Sequence, residues 1–234
     1  APLSRWVFPG VVVILLIIGI FLIASRFNAS EETGTIQNPT RHIAKVVTTS
    51  AGETQWTFDC LGNSNTALMD LRCRKIKVAV ENHILPYNYI FLETNQPGGM
   101  DYDMWWETCT GLHCRPVFIE EKWETMLEKV GIGAYDTASE GITITEERKQ
   151  TLAFAISYLN IEQHLVVRKG ETRFSNISEF LENGELVVGA LENSTNFEIA
   201  KQYIPAEGIR TYKEYSTVFY ALTTGDIDAA IADQ

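Results

Sequence analysis

The sequence predicts an α/β fold built on parallel sheet, preceded by one membrane-spanning helix. Three observations predict it. From Ile76 onward, short apolar strands alternate with helical segments, the pattern that produces parallel sheets. Upstream, no charged residue occurs from Trp6 to Ser25. Hydrophobic residues make up 45% of the 234 residues, enough to bury a core and too many for a disordered chain.

The N-terminal run from Val11 to Ala24 is almost wholly aliphatic and is bracketed by Arg5 and Arg26. Twenty helical residues span roughly 30 Å, the thickness of a bilayer core. A cleaved signal peptide competes with this reading, because Ala24-Ser25 follows the run. Arg26 crowds that cleavage site, however, and no Cys follows directly to take a lipid anchor. Residues 1–26 therefore read as an uncleaved membrane anchor, whose orientation the basic residues at both ends do not fix. Residues 27–75 are mixed and polar and read as a linker or spacer, with a short hairpin around Gln55-Trp56-Thr57-Phe58. The formal net charge of −11 repels phosphate backbones and anionic headgroups, which excludes nucleic acid as a partner.

Four cysteines, Cys60, Cys73, Cys109 and Cys114, suit disulfides in an oxidising compartment. Three pairings are possible, and the local ones, Cys60–Cys73 and Cys109–Cys114, are favoured. A metal site on Cys109, His113 and Cys114 is the sharper alternative. It lacks the Cys-x-x-Cys spacing of structural zinc sites, so no metal is expected.

In the region after Ile76, strands are expected at Lys75–Val80, Val117–Ile119 and Ala134–Ala138, with helices at 100–110 and 123–130. A second set follows: strands at 165–167, 186–188 and 229–232, and helices at 177–181, 196–203 and 216–223. In open parallel sheets a ligand sits beyond the carboxyl ends of the strands. The loops that start at Glu81 and Glu140 lie there.

The second loop reads Asp136-Thr137-Ala138-Ser139-Glu140-Gly141-Ile142-Thr143-Ile144-Thr145-Glu146-Glu147-Arg148, followed by Phe154-Ala155-Ile156-Ser157-Tyr158. This resembles the Gly-x-Thr-x-Thr-x-x-Arg motif of the type 2 periplasmic binding proteins, in particular the amino-acid-binding group (solute-binding protein family 3) of ABC transporters. The usual proline before the tyrosine is absent. Three further segments resemble the same family in the same order. They are Gly99-Met100-Asp101-Tyr102-Asp103-Met104, Gly189-Ala190-Leu191-Glu192-Asn193-Ser194-Thr195, and Gly225-Asp226-Ile227-Asp228-Ala229-Ala230-Ile231-Ala232-Asp233. The resemblance covers about residues 76–234. It implies a two-lobed periplasmic-binding-protein type 2 fold, with residues 76–160 in the first lobe and 161–234 in the second. It also implies further chain after Gln234, so that the fold is truncated at its C-terminus.

The resemblance assigns roles as well. A planar, permanently charged fork suits the carboxylate of an amino acid, and the family's arginine matches Arg148. Donors matching Gly141 and Thr143, and a turn matching Ser194 and Thr195 at a helix N-terminus, complete the cradle. The family's ammonium partner matches Asp233. Trp123 lies thirteen residues before Asp136, the family's spacing for an aromatic that covers the ligand side chain. Glu81 and Glu140 flank the cleft, and two carboxylates there favour a cationic or polar side chain.

The function expected is extracytoplasmic amino-acid binding for delivery to an ABC permease, without catalysis and without cofactors. The same module serving as the sensor of a membrane-bound receptor is the alternative. A ligand-gated channel is disfavoured, because residues 159–185 hold no apolar run of about 18 residues. An enzyme on the same fold is weaker still: His83 beside Glu81 would be its acid–base pair, and nothing in the sequence fixes that histidine.

Overall fold

Two hairpin strands, β1 (Lys45–Thr48) and β2 (Thr54–Thr57), come first in a computed structural model that describes residues 43–233. Next come β3 (Lys75–Val80), a small antiparallel meander of β4 (His83–Ile84), β5 (Asn88–Phe91) and β6 (Gln96–Gly98), and helix α1 (Met100–Leu112). β7 (Arg115–Glu120), α2 (Trp123–Gly131) and β8 (Thr137–Ala138) complete the first lobe's sheet and its helices. The second lobe contains β9 (Gln163–Val167), α3 (Ile177–Glu182), β10 (Val188–Leu191), α4 (Thr195–Tyr203), β11 (Ile209–Tyr212), α5 (Tyr215–Thr224) and β12 (Ala229–Asp233).

The first lobe's sheet has the order β1-β2-β7-β3-β8. β3 runs parallel to both β7 and β8, while β2 is antiparallel to β7. The second sheet has the order β11-β10-β12-β9, parallel except for β9. The expected parallel core is therefore present, edged by antiparallel strands. Helices cover both faces of each sheet, so the central strands carry apolar residues on both sides. In the first lobe, Val78, Val80 and Phe118 pack toward α1 with Tyr102 and Cys109. Ala79, Val117 and Ile119 pack toward α2 with Met126 and Tyr135. The second lobe repeats the scheme: Val188, Ala229 and Ile231 lie with Phe180 and Ala200, and Ala230 and Ile227 with Val218, Ala221 and Leu222.

Residues 43–75, assigned above to a spacer, contribute β1 and β2 to this sheet, and Trp56, Phe58 and Leu61 lie in its core. The reason is local. Trp56 and Phe58 sit two residues apart, the strand period that points both at one face. Both favoured disulfides form, Cys60–Cys73 across a Cα separation of 5.4 Å and Cys109–Cys114 across 4.6 Å. Among the described residues no helix is long and apolar enough to cross a membrane. The membrane helix predicted over residues 1–26 lies outside the described residues, as does the first part of the spacer.

One buried polar network fastens the first lobe's loops. Asn88, on β5, is fully buried. Its Oδ1 accepts from the backbone N–H of Asn82 at 2.6 Å. Its Nδ2 donates to Asp101 Oδ2 at 2.8 Å and to Glu140 Oε2 at 3.0 Å. Ser139 Oγ donates to Asp101 Oδ1 at 2.8 Å. The backbone N–H of Glu81 donates to Glu140 Oε2 at 2.7 Å. Asp101 opens α1, where a carboxylate suits the helix dipole. Its backbone reaches the meander because Gly99 has φ of 115° and would place any Cβ 2.3 Å from the Tyr87 carbonyl. Four chain segments thus meet at one amide.

Two stability predictions follow from this packing. Trp56→Ala should cost about 3–5 kcal/mol in a urea melt, the value for a buried aromatic, whereas a spacer tryptophan would cost about 0.5 kcal/mol or less. Asn88→Asp puts a further carboxyl beside two others and should cost more than about 3 kcal/mol at pH 7. The penalty should shrink at pH 5, where the added group is more readily protonated; an equal penalty at both values would count against the network.

Candidate functional site

Most residues that the sequence places at the site lie at or just beyond the carboxyl end of a strand, or at a helix start that such a strand feeds, while Thr143 and Arg148 lie farther along the loop after β8. Glu81 follows β3, Trp123 opens α2 after β7, and Glu140 and Gly141 follow β8. In the second sheet, Ser194 and Thr195 begin α4 after β10, and Asp233 ends β12. Because β3, β7 and β8 are parallel, their outgoing loops share one edge of the first sheet; β10 and β12 are parallel in the second.

On the first lobe, the Arg148 guanidinium lies 5.3 Å from the centroid of the Trp123 ring, a cation–π arrangement. Its Nη1 donates to the Thr143 carbonyl at 2.8 Å, and its backbone N–H donates to Thr145 Oγ1 at 3.2 Å. Thr145 and the short 3-10 turn Arg148–Gln150 thereby fix the base of the side chain. Among the described residues no carboxylate forms an ion pair with it, and burial lowers its pKa. Trp123 is buried, and its backbone N–H donates to Glu81 Oε1 at 3.4 Å. Gly141 has φ of 60°, and a Cβ there would come within 3.2 Å of the Tyr87 ring, so the loop lies flat against that ring.

Glu81 and Glu140 are each 5% exposed, and Glu81 Oε2 and Glu140 Oε1 are buried without a hydrogen-bond partner among the described residues. Burial raises the pKa of Glu81 above the usual carboxylate range. Burial also pushes Glu140 up to about 8, with the charges of Glu81 and Asp101 adding to the effect. Glu140 is thus joined to the Asn88 network and not to Arg148 or Asp233.

On the second lobe, Ser194 Oγ accepts from the Phe197 N–H at 3.2 Å and donates to the Leu191 carbonyl at 2.7 Å. Its hydroxyl is consumed by capping α4, and the cap leaves the helix N-terminus open to an anion. Gln163 Nε2 donates to Thr195 Oγ1 at 3.0 Å and to Asn196 Oδ1 at 3.2 Å. Burial raises the pKa of Asp233, a hydrogen bond from Gln163 opposes that rise, and no cation forms an ion pair with it among the described residues. The lobes face each other here: β4 packs against α5, and Lys213 pairs with Glu124 of α2 at 3.0 Å. Burial raises the Tyr87 phenol pKa, and the charge of Asp233 adds to it across the cleft.

Sequence reasoning missed Tyr87, Asn88, Asp101 and Gln163 as contributors. The Asp101 motif was visible, but its burial was not. The alternative metal site fails, because Cys109 and Cys114 share a disulfide and offer no thiolate. His113 instead contacts Asp70 Oδ1 at 2.7 Å and Cys73 Sγ at 3.2 Å. Cys60, Cys73 and His113 lie within 4.8 Å of one another, but those two sulfurs are also disulfide-bonded. A cavity of about 540 Å³ lies beside the cradle, bounded by Met104 and Trp105 of α1, Leu127 and Val130 of α2, and the 152–161 segment. Gly141, Thr143 and Glu140 line it, whereas Arg148 and Asp233 do not.

Comparison with known proteins agrees with this fold and order of motifs. The histidine-binding periplasmic protein of Salmonella typhimurium is 24% identical over 177 residues, covering 74% of this chain and 65% of that protein. The ABC transporter glutamine-binding protein GlnH of Bacillus subtilis is 30% identical over 116 residues, covering 50% of this chain and 41% of GlnH. The chain thus spans between about two-fifths and two-thirds of the length of these relatives. The crystal structure of the ancestral amino acid-binding protein AncCDT-1, a precursor of cyclohexadienyl dehydratase, has the same fold. Its TM-score is 0.64 at 23% identity, covering 68% of this chain and 70% of that one. The sequence profile of the bacterial extracellular solute-binding proteins, family 3, matches residues 76–207, more than half of the chain, and the chain belongs to that family.

Proposed function

We propose that this chain captures an α-amino acid outside the cytoplasm and presents it to an ABC-type permease. One observation carries the reading: among the described residues the first lobe holds a half-buried guanidinium without an ion-pair partner, Arg148, and the second lobe ends β12 on an exposed carboxylate without one, Asp233. A half-buried charge without a partner is costly, so Arg148 favours an anionic ligand group, while the open carboxylate of Asp233 offers the opposite sign to an ammonium. A molecule that carries both signs on one carbon satisfies both and draws the lobes together. In this reading Arg148 forks the ligand carboxylate, assisted by the backbone at Gly141 and Thr143 and by Thr195 at the start of α4. Asp233 takes the ammonium, and Trp123 covers the side chain.

The side-chain preference we assign is cationic or polar. Glu81 is buried beside Trp123 and has one oxygen without a partner, so a ligand donor placed there gains a strong hydrogen bond. Relatives named for histidine and glutamine fit a polar preference of this kind. The two disulfides support an oxidising compartment, and the names of the ABC-transporter relatives support the permease as partner.

Isothermal titration with the twenty amino acids tests this. One or a few should bind, and Arg148→Ala should weaken them by roughly two to three orders of magnitude, the effect of removing one partner of a desolvated charge pair. Arg148→Lys should recover little of that loss, because an ammonium cannot reproduce the planar fork. Tight binding that survives Arg148→Ala would refute the assignment, and a clear preference for glutamate or aspartate would refute the cationic or polar side-chain pocket.

A further inference from the structure

Glu81, Asp101 and Glu140 bury three carboxyl groups in the first lobe, and no lysine, arginine or histidine hydrogen-bonds to any of them among the described residues. They are tightly joined. Asp101 and Glu140 share the Asn88 amide, and Glu140 Oε2 accepts from the backbone of Glu81 itself. Like charges gathered in a dry site do not all ionise without a counter-ion, so the cluster retains a proton. Glu140 lies between the other two, sharing the Asn88 amide with Asp101 and taking the backbone N–H of Glu81, so burial and both negative charges bear on it; the two hydrogen bonds accepted at Oε2 oppose this only in part.

Among the described residues no lysine, arginine or histidine forms an ion pair or hydrogen bond with Glu140. Asp101 and Tyr102 face Glu140 from α1, Glu81 from the loop after β3, and Tyr158 from the 152–161 segment. Farther out, Glu214 and Glu120 add negative potential at Glu81, and His83 opposes them. Burial, with the charges of Glu81 and Asp101, pushes the Glu140 pKa up to about 8.

We propose that Glu140 is a positioning residue that holds a proton in the empty protein and releases it to solvent when a ligand cation docks against Glu81. The proposal rests on the reading of the site given above. The charges balance: one positive charge enters with the ligand, one proton leaves, and Glu81 and Glu140 are then both ionised around the new cation. A neutral side chain brings no such charge and leaves the proton in place. Proton release therefore reports, and sharpens, the distinction between cationic and neutral ligands.

Titration calorimetry with arginine and with glutamine tests the proposal, at pH 7.5 in two buffers of different ionisation heat, on the wild type and Glu140→Gln. Gln keeps an oxygen for the Glu81 N–H and the Asn88 amide, so the variant should fold. Wild-type binding of arginine should release up to about one proton, and its affinity should rise up to about tenfold per pH unit from pH 6 to 8. Glutamine should release far less, and Glu140→Gln should bind arginine with neither effect. Equal heats in both buffers, an unchanged proton count in the variant, or binding confined to neutral and acidic amino acids would overturn the proposal. A wild type that binds no amino acid at all would instead overturn the reading of the site.

A ligand-free measurement gives an independent check. The folded pKa of Glu140 is raised from 4.5 to about 8, so its contribution to stability is fully present below about pH 4.5 and is lost as pH rises through 8. Wild-type thermal stability should fall across that window, and Glu140→Gln should flatten the decline. Identical slopes in the two proteins would overturn the proposal whatever the ligand does.

Discussion

The amide of Asn88 donates to two buried carboxyls while its oxygen holds a backbone N–H, and the ligand-facing edge of the first lobe is organised around those bonds. Backbone that leaves a strand end has lost its ladder partners and must find others. Here the turn at Asn82, the start of α1 and the loop after β8 find them in one interior cluster. A polar cluster of this kind is directional in a way that apolar packing is not. It specifies one arrangement of the loops, and the Gly99 and Gly141 backbones fit close against Tyr87 because that arrangement is fixed.

In the proposed site the two lobes divide the recognition problem by sign. Arg148 is held by Trp123 and the Thr143 carbonyl, contacts that orient the guanidinium without neutralising it. A cation–π contact contributes about 0.5–2 kcal/mol, less than the several kcal/mol of desolvation that a buried ion incurs. The imbalance favours an external anion. Asp233 presents the reverse case on the opposite sheet, where Gln163 offers a hydrogen bond but no charge. In that reading the ligand supplies the partner that each lobe lacks, and so contributes to closing the cleft as well as filling it.

Much of this was legible in the sequence, because parallel-sheet physics leaves clear marks. The strand and helix order from Lys75 to Ala232 follows from apolar runs and their punctuation, and the candidate site residues follow from the resemblance of four motifs to the family. What was not legible has identifiable causes. Trp56 and Phe58 carried a two-residue period too short to distinguish a strand of the main sheet from a linker hairpin. β11, at Ile209–Tyr212, has two exposed residues among four and shows no apolar run. Ser194 looked like a ligand donor, but its hydroxyl caps its own helix, a local competition that a motif does not reveal. The chemical character of Glu140 depends on Asn88 and Asp101, which lie 52 and 39 positions away and meet it only after folding.

Glu140 also shows why a binding protein would keep carboxyls in its interior. Replacing such a cluster by apolar side chains is often neutral or stabilising, so stability alone does not account for it. The cluster lies one hydrogen bond behind Glu81, the residue that meets the ligand side chain in the proposed site. Any charge that arrives at Glu81 is therefore felt by groups that hold the loops in place. Positioning and recognition are then the same electrostatic problem, and the cost of burying the carboxyls is incurred at the one place where a ligand charge can offset it.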